Sequence, residues 1–162
     1  MLYLRNDAIG TAAIAELCAI PGVKGVKWAT PNPLKRTEAI AACGPGITWV
    51  GGLAEVWAPP LYAVGARGFT SGPINVWPER SVAIHTALST GDYSGANRLI
   101  AGMRAFEDIR AEELNGANVT AVKAALLATR FDCGPTRAPS ASPFTAAQQA
   151  RLGGFLKAAG LA

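Results

Sequence analysis

Val23-Lys24-Gly25-Val26-Lys27-Trp28-Ala29-Thr30 is a short apolar run with a lysine near its centre. Its β-branched and aromatic residues predict a buried strand over 23–29. A lysine inside such a strand is costly, because an ammonium group is rarely buried without a reason. Side chains alternate along a strand, so Lys27 falls on the face opposite Val26 and Trp28, while Lys24 is expected to face solvent. Two readings of Lys27 follow from the pattern. It is either a nucleophilic amine facing an enclosed lumen or a lysine that snorkels to solvent from the strand end. An ammonium taken out of water tends toward the neutral amine, the form that attacks a ketone.

Around this strand the punctuation is regular. Residues 1–5 read as the tail of a strand, and 11–20 as a helix closed by Pro21-Gly22. Asn32-Pro33 supplies a helix cap and a first-turn proline for a helix to about Cys43. Residues 47–50 (ITWV) read as a strand, and Gly51-Gly52 as a tight exit into a helix ending near Val64. Residues 69–71 (FTS) predict a fourth strand, and Pro78 opens a helix to about Ser89. Strand–helix alternation with short loops implies parallel strands joined by right-handed crossovers, at the tight spacing of a β/α barrel. After Gly91 the pattern predicts three helices, over 92–113, 117–129 and 145–159. The expected organisation is therefore α/β over residues 1–90 and helical over 91–162.

The chain has 162 residues, of which 50% are hydrophobic and only 16% charged. That balance suits a chain that buries apolar surface against a further partner. No uncharged apolar run approaches the roughly 20 residues of a spanning helix, so no membrane partner is expected. The net charge of +4 is carried by scattered lysines and arginines, not by a basic cluster alternating with aromatics, which argues against nucleic acid. Cys18, Cys43 and Cys133 lack metal-ligand spacing and read as free thiols of a reducing compartment, so no metal site and a cytoplasmic location are expected. Nothing at the N-terminus resembles a signal peptide.

Several segments together carry a resemblance. Gly25-Val26-Lys27-Trp28-Ala29-Thr30, following a Leu2-Tyr3 strand end, resembles the lysine strand of the dihydrodipicolinate synthase and N-acetylneuraminate lyase family. Trp49-Val50-Gly51-Gly52 resembles that family's next strand, and Gly65-Ala66-Arg67-Gly68-Phe69-Thr70-Ser71-Gly72, with Asn75-Val76 following, its last strand. Gly91-Asp92-Tyr93, the Asn118-Val119-Thr120-Ala121-Val122-Lys123-Ala124 segment, and Arg137, Pro139, Pro143 and Thr145 resemble its C-terminal helical region. The order holds over nearly the whole chain, which makes the joint match specific.

The resemblance implies a partial (β/α)8 TIM barrel, the last four βα units (strands five to eight), followed by a C-terminal helical extension. It implies a class I aldolase-type lyase with Lys27 as the imine-forming lysine, Tyr3 as the proton-relay tyrosine, and a 2-oxo acid, pyruvate-like or a keto-deoxy sugar acid, as substrate. No cofactor is implied, because the protonated imine is itself the electron sink. The N-terminal half of the barrel, with its carboxylate-binding loop, is expected to be missing, Met1 falling inside the fifth strand. Homo-oligomerisation, or an inactive half-barrel needing a partner chain, is the corresponding alternative.

Tyr3-Leu4-Arg5-Asn6 resembles the 5-dehydro-4-deoxyglucarate dehydratases more than the synthases, which makes Arg5 a candidate clamp for a distal carboxylate. Thr70 and Ser71, ending a strand, and Gly51 and Gly52, which let backbone approach a ligand, complete the candidate substrate-binding set. Glu55 and Trp57 are candidates for the pocket mouth. His85 reads as a non-catalytic helix residue, and Glu107, Asp108, Glu112 and Glu113 as a solvated acidic face or subunit contact.

Overall fold

The computed structural model describes residues 1–130, 132–139 and 143–162. The connector before the last helix falls partly on residues 140–142, outside the described residues. The chain divides into two compact units, one of residues 1–71 and 85–96, the other of 72–84 and 97–162.

The first unit is built on a parallel sheet of three strands in sequential order, β1 (Leu2–Leu4), β2 (Gly25–Trp28) and β3 (Thr48–Gly51). Between them run α1 (Thr11–Cys18) and α2 (Pro33–Cys43). The α2 start forms as its sequence predicts: the Asn32 side chain accepts a hydrogen bond from the Lys35 N–H, and Pro33 occupies the first turn, where no N–H is needed. The register pairs Tyr3 with Lys27 and Lys27 with Val50, so these three side chains share one face. Leu4, Val26, Trp28 and Trp49 are buried on the other face, where the two indole rings meet at 6.2 Å.

Residues 69–71 depart from expectation. They form no strand; Phe69 makes one isolated parallel bridge to Gly51, with Thr70 N–H donating to the Gly51 carbonyl at 2.8 Å. Pro73, two residues beyond Ser71, has no N–H and opens a 3-10 turn at Pro73–Asn75, which takes the chain away from the ladder. The expected helix after Gly52 is also divided, into a 3-10 turn at Glu55–Trp57 and α3 (Ala58–Ala63). Pro59 and Pro60 cannot donate to carbonyls of the preceding turn, so a continuous α-helix from residue 53 is excluded.

Helix α4 (Pro78–Ser89) begins and ends as predicted. The single helix expected over 92–113 is two, α5 (Tyr93–Ala101) and α6 (Arg104–Ala111). Gly102, a poor helix former, sits at the break, and the Met103 N–H turns back to the Ile100 carbonyl. Then follow α7 (Asn118–Thr129) and α8 (Ala146–Ala158), the latter opened by a capping box between Thr145 and Gln148.

In the second unit α6, α7 and α8 enclose a core of Val76, Phe106, Ile109, Ala121, Leu126, Leu152, Phe155 and Leu156, with Phe106 stacked on Phe155. The acidic stretch is not uniformly solvated. Glu107 is buried against Arg110 at 2.7 Å, whose Nη2 also donates to Asn118. Glu112 pairs with Arg151 at 2.6 Å, while Asp108 pairs with Arg104 on the surface.

The cysteines are unpaired with respect to disulfides. Burial pushes the Cys43 thiol up to about 12, and its contact with Cys18 adds to the effect. Among the described residues no helix is long and apolar enough to cross a membrane, and no group of three His, Cys, Asp or Glu side chains is placed to hold a metal.

Candidate active site

The carboxyl ends of β1, β2 and β3 bring the sequence-predicted residues of the first unit together. Lys27 lies half-buried, with Nζ 4.2 Å from the centroid of the Tyr3 ring. Tyr3 is 52% exposed on the open face of the sheet. Arg5, just past the end of β1, reaches the same ring, its Cζ 5.7 Å from the centroid. The ring therefore carries two cations near its electron-rich surface, an attractive arrangement in itself. It is also an arrangement suited to an anionic ligand, because both positive groups converge on one exposed phenol.

Gly52 explains how the lysine side chain is accommodated. Its N–H donates to the Trp28 carbonyl at 2.7 Å, drawing the chain after β3 across the end of β2. A Cβ at this position would lie 2.8 Å from the Ala29 Cβ and 3.0 Å from the Lys27 Cε. Only glycine leaves room for both the backbone approach and the lysine stem. Gly51 is the β3 residue bridged to Phe69, and a Cβ there would meet Leu61 at 3.0 Å.

Thr70 and Ser71 follow at the same end. Thr70 Oγ1 donates to the Gly51 carbonyl at 3.4 Å, and Ser71 Oγ donates to Glu55 Oε1 at 2.7 Å. Glu55 is fully buried, not placed at a pocket mouth, whereas Trp57 is half-buried. The buried carboxylate fixes the direction of the Ser71 hydroxyl. The cue in the sequence was an acidic residue in an otherwise apolar segment, Leu53-Ala54-Glu55-Val56-Trp57.

His85, exposed on α4, shares a 2.6 Å hydrogen bond between its Nδ1 and the Tyr62 hydroxyl. Burial raises the Tyr62 phenol above its usual range, with Arg67 opposing the shift. Sequence reasoning passed over Arg36, which is 0% exposed and donates through Nη1 to the carbonyls of Leu61 at 2.7 Å and Val64 at 2.8 Å. Its helical register with buried Ala39, three positions on, was the available signal.

The model of the dihydrodipicolinate synthetase family matches residues 3–159. A probable 5-dehydro-4-deoxyglucarate dehydratase of Rhodococcus jostii (strain RHA1) is 32% identical over 143 residues, covering 85% of this chain and 47% of that protein. A protein of the same description from Rhodococcus opacus (strain B4) is 30% identical over 161 residues, covering 96% of this chain and 52% of its own length. The crystal structure of dihydrodipicolinate synthase from Bacillus clausii superposes with a TM-score of 0.91 at 28% identity, covering 98% of this chain and 54% of that one. The chain thus spans about half the length of the curated relatives it matches. Its fold is a part of the TIM barrel of these structures with helices following, and the chain belongs to the dihydrodipicolinate synthetase family.

Proposed function

We propose that this chain carries the imine-forming part of the active site of a 2-oxo acid lyase. The observation that carries the reading is the seating of Lys27 Nζ against the Tyr3 ring at the carboxyl end of the sheet, beside the Gly52 backbone. In this reading the neutral Lys27 amine attacks the C2 carbonyl of the substrate. The carbinolamine hydroxyl takes a proton from the Tyr3 phenol and leaves as water, giving the protonated imine. The imine then accepts the electron pair released when a carbon–carbon bond breaks or when a proton leaves the adjacent carbon ahead of dehydration.

The substrate class we favour is a keto-deoxy sugar acid, dehydrated through that imine. Support comes from the two Rhodococcus relatives, described as probable 5-dehydro-4-deoxyglucarate dehydratases, and from Arg5 beside Tyr3, which suits the second carboxylate of such a substrate. Thr70, Ser71, Gly51 and Gly52 would line the intervening part of the chain. The helices after residue 91 take the place of the family's C-terminal extension, and β1, β2, β3 and the segment bridged at Phe69 correspond to its last four barrel strands.

A second reading is favoured by one observation. Met1 and Tyr3 are largely exposed on the open sheet face, and β1 is an edge strand with unpaired backbone groups. Full turnover would then need a complementary half-barrel, from a further segment or a second chain, or self-association through that edge. The test is hydride trapping of 2-oxo acids compared with acetone, with and without Arg5→Ala. The proposal expects pyruvate to be trapped faster than acetone, and a keto-deoxy sugar acid to lose its advantage in Arg5→Ala. Equal trapping of all three carbonyl compounds by both proteins would overturn it.

A further inference from the structure

A second cluster of charge lies within the same unit, away from Lys27. Thr37 and Ile40 of α2, the loop Gly44-Pro45, Ile47 to Trp49 at the amino end of β3, and the end of α3 with Arg67 beyond it surround a cavity of about 620 Å3. Trp49 lies on the helix-covered face of the sheet, opposite the face shared by Lys27 and Val50. The cavity is therefore at the other end of β3 from Gly52 and behind the sheet as viewed from Lys27.

Its wall is positively charged and has no acidic lining. Arg67 lines it directly and is exposed. Arg36 stands against the wall: its Nη1 donates to the Val64 carbonyl, and its Cζ lies 5.7 Å from the Trp49 ring. The carbonyls of Leu61 and Val64, at the carboxyl end of α3, account for one guanidinium nitrogen. Nε and Nη2 are buried and have no hydrogen-bond partner among the described residues, and the same holds for the Trp49 indole N–H.

Neither arginine forms an ion pair among the described residues; the carboxylates that do pair there serve Lys35, Arg104, Arg110, Arg130 and Arg151. A buried guanidinium with no opposing charge is expensive, and an adjacent second one makes it more so. Both effects show in Arg36, held down to about 10 first by burial and then by the charge of Arg67. A cation on the wall of a ligand-sized cavity, with a second, unpaired one buried behind it, is complementary to an oxyanion, whose charge would offset both.

We propose that this cavity binds a small organic anion, a carboxylate or a phosphate ester, held by Arg67 and stabilised by the buried charge of Arg36 behind it. The hydroxyls of Thr37 and Thr48 on the lining suit the remaining oxygens. The site does not depend on imine chemistry, since its residues lie on the opposite side of the sheet.

Isothermal titration of the chain with inorganic phosphate and with malonate, at constant ionic strength, tests this. Saturable binding of at least one anion is expected, and which one saturates assigns the ligand chemistry to phosphate or carboxylate. Arg67→Ala should weaken it by about tenfold or more, the scale of a lost charge-assisted pair, and Arg67→Lys should recover part of the loss. Arg67 is exposed, so these variants keep the fold, which circular dichroism verifies. Lys27→Ala should bind as the parent does. No saturable heat with either anion, undiminished binding in Arg67→Ala, or binding lost in Lys27→Ala would each overturn the proposal.

Discussion

Lys27 and Tyr3 are register partners on adjacent parallel strands, and the lysine Nζ sits 4.2 Å from the centre of the tyrosine ring. In a parallel pair such partners point to the same face, so the sheet itself sets the amine beside the phenol. An aromatic face attracts the ammonium form, whereas imine chemistry needs the neutral amine. In the proposed reading the phenol has two effects, holding the side chain in place and supplying a proton once a carbonyl arrives.

Tyr3→Phe separates the two. The ring remains on Lys27 while the proton donor is lost. Adduct formation with pyruvate under cyanoborohydride should slow by about 10²–10⁴-fold, the usual contribution of a positioned acid or base. Quantifying modified protein against time by intact mass checks this. A rate within a factor of about two of the parent would remove Tyr3 from the relay role.

Gly52→Ala should act through Lys27 without touching substrate chemistry directly. The new methyl would stand 2.8 Å from the Ala29 Cβ and 3.0 Å from both the Lys27 Cε and the Trp28 carbonyl oxygen. The Trp28 carbonyl is backbone and the Ala29 Cβ is fixed to the next residue's backbone, so neither can yield easily, and a loss of about 1–3 kcal/mol in urea unfolding is expected. Slower trapping at Lys27 should accompany it. Unchanged stability would show that the approach of these segments is looser than described.

Much of this site is legible along the chain, for reasons that differ by element. The Asn32-Pro33 cap and the Pro78 start are local signals, set by residues adjacent in sequence. Alternation alone separates Lys27 from Val26 and Trp28, and the paired register agrees with it. The single bridge at Phe69 was not legible, because a three-residue β-prone segment says nothing of how soon its neighbours turn it away. Pro59-Pro60 and Gly102 did carry usable warnings of helix breaks, weaker than the apolar periodicity running through them. Arg36 and Glu107 escaped because their burial depends on partners remote in the fold or on a neighbouring turn, which composition does not reveal.

The buried pair in the second unit gives a stability prediction. Glu107→Ala leaves Arg110 buried, with Asn118 but without a charge opposite. Removing one member of a buried ion pair costs about 3–5 kcal/mol, so equilibrium urea unfolding should shift by that amount. Asp108→Ala, on the exposed Arg104 pair, should change stability by less than about 1 kcal/mol.

Glu112 predicts a pH dependence. Hydrogen bonds from Arg151 and then Gln148 hold its carboxyl below the ordinary value of 4.5. A carboxylate with a depressed folded-state pKa binds more protons when unfolded. Its contribution is therefore present above the unfolded value and lost as pH falls through the folded one. The difference in thermal midpoint between the parent and Glu112→Gln should be largest near neutrality and shrink below about pH 4. A difference that grows on acidification would contradict the assignment.

Whether Lys27 forms the imine is tested most directly by the position of the trapped adduct. The chain is incubated with pyruvate and borohydride, digested, and the modified residue located by tandem mass spectrometry. A reduced pyruvate adduct is expected on Lys27, absent from Lys27→Ala. An adduct on Lys24 or Lys123 in place of Lys27, or one that persists unchanged in Lys27→Ala, would contradict it.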